Sequence, residues 1–254
     1  MGYFSVTDAV TVSVVSHGQK NLVDALLGDL ALCPEVARVS LTHNIPEPDF
    51  VVPDALRERV KVTVNDAPRG FGANHNAALL DASSPWICIL NPDIRFTENP
   101  FPSLLACLRD TGAVLAAPQV LNPTMRQEDS ARYFPTLFGL LLKAVGRSTG
   151  RFPVSHTAPS SPDWVAGMFM LIRTDVFSRL EGFDEGFFLY YEDVDLCARL
   201  RKSGLDLRWC PSATVIHDAR RESRRKLRYM WWHAQSMLRF FLKQSYRKLQ
   251  ARVI

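Results

Sequence analysis

Trp86-Ile87-Cys88-Ile89-Leu90-Asn91-Pro92-Asp93 is an unbroken apolar run that stops in a turn. Its length suits a strand buried on both faces, and Pro92, which has no N–H to give a ladder, ends it. Asp93 is thereby left at the strand's carboxyl end. Toward the N-terminus, Val10 to Val15 is a similar run. It is followed by a helix over Asn21 to Leu32, with Val23, Leu26, Leu27 and Leu30 on one stripe. Ala37 to Leu41 and Val60 to Val64 read as strands, and Asn74 to Leu80 as the start of a helix. Toward the C-terminus, Pro102 to Arg109 reads as a helix and Val114 to Ala117 as a strand. Strands alternating with helices predict an α/β fold, a mostly parallel sheet flanked by helices. Ligands of such sheets sit beyond the carboxyl ends of the strands. The loops after Val15, Leu41, Val64 and Leu90 are therefore the ones to inspect.

Further on, Leu137 to Val145 has a short helical pattern, and Gly146 to Pro162 has the Ser, Thr, Pro and Gly content of a loop or join. A second organised block runs from Trp164 to His217. It reads as a strand over Met168 to Ile172, a helix from Thr174, an aromatic loop, a helix over Asp193 to Ser203, and two short strands ending near Trp209 and His217. From Arg221 onward the pattern is one long helix. Leu227, Met230, Trp231, Ala234, Met237, Leu238, Phe241 and Leu249 share a face, roughly opposite Arg221, Arg225, Arg228, Arg239, Lys243 and Arg247.

The 254 residues suffice for one α/β domain and an appendage. The net charge of +4 is mild, yet Arg220 to Arg252 holds eleven Lys or Arg against the single acid Glu222. Three roles fit this basic amphipathic helix, residues 219–254: a helix docked on the main domain with a solvated basic back, an interfacial helix on anionic lipid with Trp232 as anchor, or a homodimer contact through the aromatic face. No nucleic-acid reading module is recognisable, so no nucleic acid is expected as partner. The five cysteines, Cys33, Cys88, Cys107, Cys197 and Cys210, form no C-x-x-C pair and predict buried free thiols in a reducing compartment. The N-terminus lacks the pattern of a signal peptide, and no apolar stretch approaches about eighteen residues. The expected location is cytoplasmic.

Four constellations carry chemistry, each with a plain structural alternative. Asp93 can cap the turn after its strand, or ligate a hard divalent cation, Mg2+ or Mn2+. Tyr190-Tyr191-Glu192-Asp193-Val194-Asp195-Leu196 opens a helix with three carboxylates. These can serve the helix dipole, Asp195 being best placed for it, or they can work as acid and base. The approach from Gly182 to Tyr191 is dense in aromatics, which stack on the apolar faces of pyranoses and exclude water. His217 closes its strand either as a structural residue or as an imidazole ligand completing the site begun by Asp93. Arg69-Gly70-Phe71-Gly72-Ala73-Asn74-His75-Asn76 can be an ordinary loop entering a helix. Its glycines also allow close backbone approach, with Asn74 and Asn76 able to bond a nucleotide.

In order and spacing these motifs, with the first-strand tip Ser16-His17-Gly18, resemble family 2 glycosyltransferases, most closely a rhamnosyltransferase-like branch. The resemblance spans about residues 10 to 218. It implies the GT-A fold over 1–218, with about 1–120 binding a nucleotide-sugar and about 120–218 binding the acceptor and supplying the base. It implies that Asp193, with Glu192, is catalytic, and that Asp93 and His217 hold a divalent metal (Mg or Mn). Ser16, His17, Asn44, Arg69, Gly70, Phe71, Asn76, Asn91 and Asp93 would contact the nucleotide-sugar. Trp164, Gly167, Met168, Asp184 and Tyr191 would shape the sugar and acceptor pocket. The chain departs from the family at His43-Asn44, where relatives often have Asp-Asn, and in offering one acid at the metal motif.

The implied activity is inverting transfer of a sugar from a nucleotide diphosphate donor to a hydroxyl of a cell-surface polysaccharide or lipid-linked glycan precursor. L-rhamnose from dTDP-rhamnose is the first choice and a UDP-hexose the next. A lipid-linked acceptor would place the protein on the inner face of the cell membrane, with 221–254 as the contact. A nucleotidyltransferase would need a Gly-rich, Arg-containing loop after the first strand, which Val15-Ser16-His17-Gly18-Gln19-Lys20 matches poorly. A non-catalytic nucleotide-sugar-binding protein would need no base at Asp193.

Overall fold

The computed structural model describes residues 8–147, 150–218 and 227–243. The elements run β1 (Val10–Ser16), α1 (Lys20–Leu30), β2 (Val36–His43), β3 (Val60–Val64), α2 (Phe71–Leu79), β4 (Trp86–Leu90), β5 (Ile94–Phe96), α3 (Phe101–Thr111) and β6 (Leu115–Leu121). They continue with β7 (Ala131–Arg132), α4 (Leu137–Ala144), β8 (Trp164–Val165), β9 (Phe169–Arg173), α5 (Thr174–Arg179), α6 (Glu192–Lys202), β10 (Leu207–His217) and α7 (Leu227–Leu242). Eight strands form one sheet in the order β3-β2-β1-β4-β9-β6-β10-β5. The pairs β3–β2, β2–β1, β1–β4 and β6–β10 are parallel, as the alternating pattern predicts.

Side chains on β4 alternate between two cores, as the period of two requires. Cys88 and Leu90 join β1, α1 and α3, whereas Ile87 and Ile89 join β9, α5 and α6. The antiparallel insertion of β9 positions the site. Leu90 of β4 pairs with Phe169, so the residues entering β9, Gly167 and Met168, lie against the carboxyl end of β4.

Several expectations are corrected. The two short strands before His217 are one strand, β10, whose register with β6 shifts between Cys210 and Thr214. Pro211 lies in that interval and has no N–H, so the ladder bulges without ending. Helix α2 begins at Phe71 with Gly70 as N-cap, earlier than the pattern from Asn74 indicated. Cys107 of α3 and Cys210 of β10 form a disulfide across 103 residues, while Cys33, Cys88 and Cys197 are free and buried. Only the packing of α3 on β10 brings that pair together.

The C-terminal helix docks on a face rotated from the one that the docked reading expects, with Met237 and Phe241 still packed inward. The described part docks through Ser236 and Phe240, with Trp232 against Phe188 at 4.7 Å and Ser236 Oγ donating to the Leu189 carbonyl at 2.9 Å. Arg239 and Lys243, expected on a solvated back, turn inward to Asp184 at 2.8 and 2.7 Å. Leu227, Met230, Trp231 and Leu238, expected inside, are exposed. The inward carboxylates decide the orientation, because a buried charge without a partner costs more than exposed apolar surface. Arg221, Arg225, Arg247 and Leu249 lie outside the described residues.

Candidate active site

The first corner grows from the turn after β4. The Asn91 N–H donates to the Met168 carbonyl at 3.0 Å, and the Ile94 N–H to the Asn91 carbonyl at 3.3 Å, which leads the chain into β5. That strand pairs antiparallel with β10, Ile94 opposite His217, and the Asp218 N–H donates to the Asp93 carbonyl at 2.9 Å. His217 is thus carried to Asp93, Nε2 lying 3.3 Å from Oδ2. Its Nδ1 lies 2.7 Å from Glu128 Oε2, a partner that sequence reading missed. Burial lowers the pKa of this imidazole, but Asp93 and then Glu128 outweigh it and raise the value to about 9.

This corner fits a cation in part. Asp93 Oδ1 is buried with no hydrogen-bond partner. A carboxylate on the far nitrogen of a histidine is the usual support for a metal-ligating ring. With Nδ1 held by Glu128, Nε2 and the Asp93 carboxylate face one another at 3.3 Å. No cage of three or more His, Cys, Asp or Glu side chains stands ready among the described residues. Further oxygens would have to come from a ligand.

The second corner is built on strain. Tyr190 and Tyr191 are consecutive left-handed residues, φ 70° and 68°, immediately before α6. For bulky side chains this conformation costs about 1–3 kcal/mol each and persists only where the surroundings impose it. Tyr191 packs on His233 at 5.4 Å and on Phe240 at 5.6 Å, which braces the turn. Its ring lies against α7, while the charges of Asp193 and Arg132 both act on its hydroxyl. The turn delivers Asp193, whose Oδ2 accepts the Gly167 N–H at 2.9 Å and whose Oδ1 accepts the Val194 N–H at 2.8 Å.

Burial raises the pKa of Asp193, opposed by those two N–H groups and by the charge of Arg132. Glu192, 5% exposed, is pushed well above its ordinary value by burial and then by the charge of Asp193. Of this pair, Asp193 has the partners that favour its charged form, the two N–H groups and Arg132, whereas burial and the Asp193 charge favour the neutral form of Glu192. Asp195 was expected to serve the helix dipole. It lies fully buried in the first turn of α6 and takes Arg199 at 2.8 Å together with Lys243.

Gly167 and Met168 join the two corners. One residue donates its N–H to Asp193 and the next accepts the N–H of Asn91. A Cβ on Gly167 would stand 3.4 Å from Asp193 Cβ and 3.5 Å from the Phe71 ring. Alongside, Trp164 Nε1 donates to the Tyr133 carbonyl at 2.9 Å, and the Arg132 guanidinium lies 5.9 Å from the Trp164 ring. Arg132 was also missed by the sequence reading.

On the nucleotide side, Asn44 gathers three loops. Its N–H donates to the Ser16 carbonyl at 2.9 Å, its side chain exchanges bonds of 2.9 and 2.8 Å with the Arg69 backbone, and Nδ2 lies 3.3 Å from His17 Nδ1. Asn44 is therefore an organiser, while His17 and Arg69 present exposed side chains. Ser16 Oγ accepts the Gln19 N–H at 3.0 Å. Beside Asn44, the His43 ring stacks on Phe50 at 4.1 Å, and the Glu47 carboxylate lies 3.3 Å from Nδ1.

Three expected ligand residues are committed to the protein. Asn76 binds both the carbonyl and the N–H of Phe183, each at 2.8 Å. Gly70 leaves room for the Phe188 backbone, whose carbonyl a Cβ would meet at 2.7 Å and which accepts the Phe71 N–H at 2.9 Å. Asp184 is taken by Arg239 and Lys243 of the C-terminal segment.

Residues 86–253 match the model of glycosyl transferase family group 2. The chain is 26% identical over 248 residues to the rhamnosyltransferase WbbL of Escherichia coli (strain K12), covering 92% of this chain and 93% of that one. It is 29% identical over 236 residues to the N-acetylglucosaminyl-diphospho-decaprenol L-rhamnosyltransferase of Mycobacterium tuberculosis (strain ATCC 25618 / H37Rv), covering 84% and 76%. Among solved structures it superposes on GalNAc-T7 with UDP, GalNAc and Mn2+ at a TM-score of 0.63, 16% identical, over 84% of this chain and 44% of that one. It superposes on the mannosyltransferase PcManGT from Pyrobaculum calidifontis, in complex with GDP-Man and Mn2+, at 0.60, 15% identical, over 95% and 64%. The chain thus spans less than two thirds of the length of each of these structures. The matched stretch runs from the first residue of β4 through the whole second half of the molecule, and the chain belongs to glycosyl transferase family group 2, with a GT-A-like fold.

Proposed function

We propose that the chain is an inverting, metal-dependent glycosyltransferase acting on a nucleotide diphosphate sugar, first of all dTDP-rhamnose. The acceptor is the hydroxyl of a lipid-linked glycan precursor, reached from the inner face of the cell membrane with residues 221–254 as contact. The observation that carries the reading is the Gly167–Met168 segment, which ties a raised-pKa carboxylate to an Asp–His–Glu cluster. The two rhamnosyltransferase relatives, one named for a diphospho-decaprenol substrate, support the choice of sugar and acceptor.

Asp193 accepts the proton of the acceptor hydroxyl as that oxygen attacks the anomeric carbon opposite the departing nucleotide diphosphate. Its raised pKa brings it nearer the working pH, which strengthens a general base. The N–H groups of Gly167 and Val194 hold it ionised and aimed, and the protonated Glu192 keeps a second negative charge away. Asp93 and His217 would hold Mg2+ or Mn2+, which when bound neutralises charge growing on the leaving diphosphate. Glu128 orients the His217 ring for that task. Residues up to about 120, with His17 and Arg69 at the loop tips, hold the nucleotide. Residues from about 120 to 218, with Trp164 and Arg132 beside the base, receive the acceptor.

The direct test is Asp193→Asn, assayed for donor binding and turnover with dTDP-rhamnose and with UDP-hexoses. Donor binding should persist while turnover falls about 10²- to 10⁴-fold. Near-normal turnover would take Asp193 out of the base role.

A further inference from the structure

Two helices far apart in sequence expose apolar faces in the same region of the molecule. On α7, Leu227, Met230, Trp231, Leu238 and Leu242 are all exposed, Trp231 by 62%. At about 100° per residue they fall within roughly a third of the helix circumference. On α4 and the residue that follows it, Leu137, Phe138, Leu141 and Val145 are exposed, Phe138 by 70%. Their spacing likewise gives one narrow stripe. Phe134, three residues before α4, packs on the Phe187–Tyr191–Phe240 cluster, and so do Met237 and Phe241 of α7. The same cluster carries Trp164, beside the base.

Charge identifies the occupant. Residues 137–151 and 223–243 contain no acidic residue. Five cations, Arg220, Arg221, Arg224, Arg225 and Lys226, precede α7 in the sequence, Arg228 lies in its first turn, and Arg147 is exposed just after α4. An apolar stripe flanked by cations matches a bilayer with anionic headgroups. Two copies meeting on a two-fold axis would instead set like charges against each other.

We infer that α4 is a second membrane-contact element, forming with α7 a two-helix platform that seats the protein on an anionic lipid surface beside the acceptor side of the site. The platform deepens the proposed action on a lipid-linked acceptor and rests on that reading for its purpose, while its evidence is the surface itself. Substitutions on the stripes leave the core and the two corners untouched.

The experiment is co-sedimentation of the full chain with vesicles of phosphatidylcholine, alone or mixed with phosphatidylglycerol. Wild type is compared with the double variants Phe138→Ser/Leu141→Ser and Trp231→Ser/Leu238→Ser. Thermal melting checks the fold, and donor hydrolysis without vesicles checks the active site. Both variants should melt and hydrolyse donor as wild type does, and each should lose at least about tenfold in binding to the anionic vesicles. High salt should weaken the wild type. If the α4 variant binds like wild type while the α7 variant does not, α4 has no part in docking and the platform is overturned, though membrane contact through α7 stands. A wild type that hydrolyses donor yet leaves all vesicles unbound overturns the platform and spares the chemistry. A wild-type dimer that the α4 variant disperses, with no vesicle binding, assigns the face to a second copy and also overturns it.

Discussion

The two corners of the site are made in opposite ways. Asp93 and His217 sit on neighbouring strand ends, and ordinary ladder and turn hydrogen bonds hold them without backbone strain. Asp193 follows two left-handed tyrosines and is steadied from outside by α7, through His233, Phe240 and the Lys243 contacts to Asp184 and Asp195. The first corner is a property of the sheet. The second is a property of the docked C-terminal helix. A change on the inward side of α7, at His233, Phe240 or Lys243, should therefore reach Asp193 and leave the Asp93–His217 corner in place, whereas its exposed apolar stripe touches neither.

The largest effect that would sharpen this contrast is expected inside the first corner. Glu128→Gln removes the charge that orients His217, and should lower metal affinity or metal-dependent turnover about 10- to 100-fold. Metal titration of turnover measures it, and an unchanged titration would make Glu128 a bystander. Next comes Gly70→Ala, which puts a methyl 2.7 Å from the Phe188 carbonyl. Displacing that loop, on which Trp232 rests, should cost about 1–3 kcal/mol in denaturant unfolding. Gly167→Ala, with contacts no closer than 3.4 Å, should cost much less. Equal losses for the two glycines would break the proposed asymmetry.

Lys243→Ala leaves the buried Asp195 with Arg199 alone and should cost about 1–2 kcal/mol. It should reduce kcat with little change in the metal requirement. A shifted metal requirement with kcat intact would reverse the assignment of corners.

The smallest effect is on pH. Burial alone would raise the Asp184 pKa, but Lys243, the Gly186 N–H and Arg239 hold it down, to about 2. A carboxyl depressed in the folded state adds stability that is full above its ordinary pKa near 4 and fades as pH falls toward 2. Tryptophan fluorescence from the Trp232–Phe188 contact should therefore report loosening of α7 on acidification below about pH 4. No change down to pH 2 would mean that Asp184 does not hold the helix.

Much of the sheet was legible because run length and turn residues are local signals. The strands around Val12, Leu41, Ile89 and Leu171 could be read that way, and the mostly parallel α/β sheet follows from them, while the GT-A-like fold was implied only by the family resemblance of the motifs. Asp93 and Asp193 stood out because each adjoins an abrupt change of pattern. Glu128 and Arg132 did not, since one lies in an irregular stretch and the other in a two-residue strand, and both acquire meaning only through partners far along the chain: His217 for one, Asp193 and Trp164 for the other. The Cys107–Cys210 bond was hidden for the same reason. The face of α7 was misread because amphipathic counting assumes that apolar residues turn inward. Here Asp184 and the buried Asp195 call cations inward and push the apolar stripe out.

The Gly167–Met168 peptide has a consequence for how such an enzyme diversifies. It grips both corners with main-chain atoms, so the distance between Asp193 and the Asp93–His217 pair does not depend on which side chains surround them. Neighbours such as Trp164 and Phe71 are free to be exchanged and to recontour the cavity for a different sugar, while the reacting groups keep their alignment.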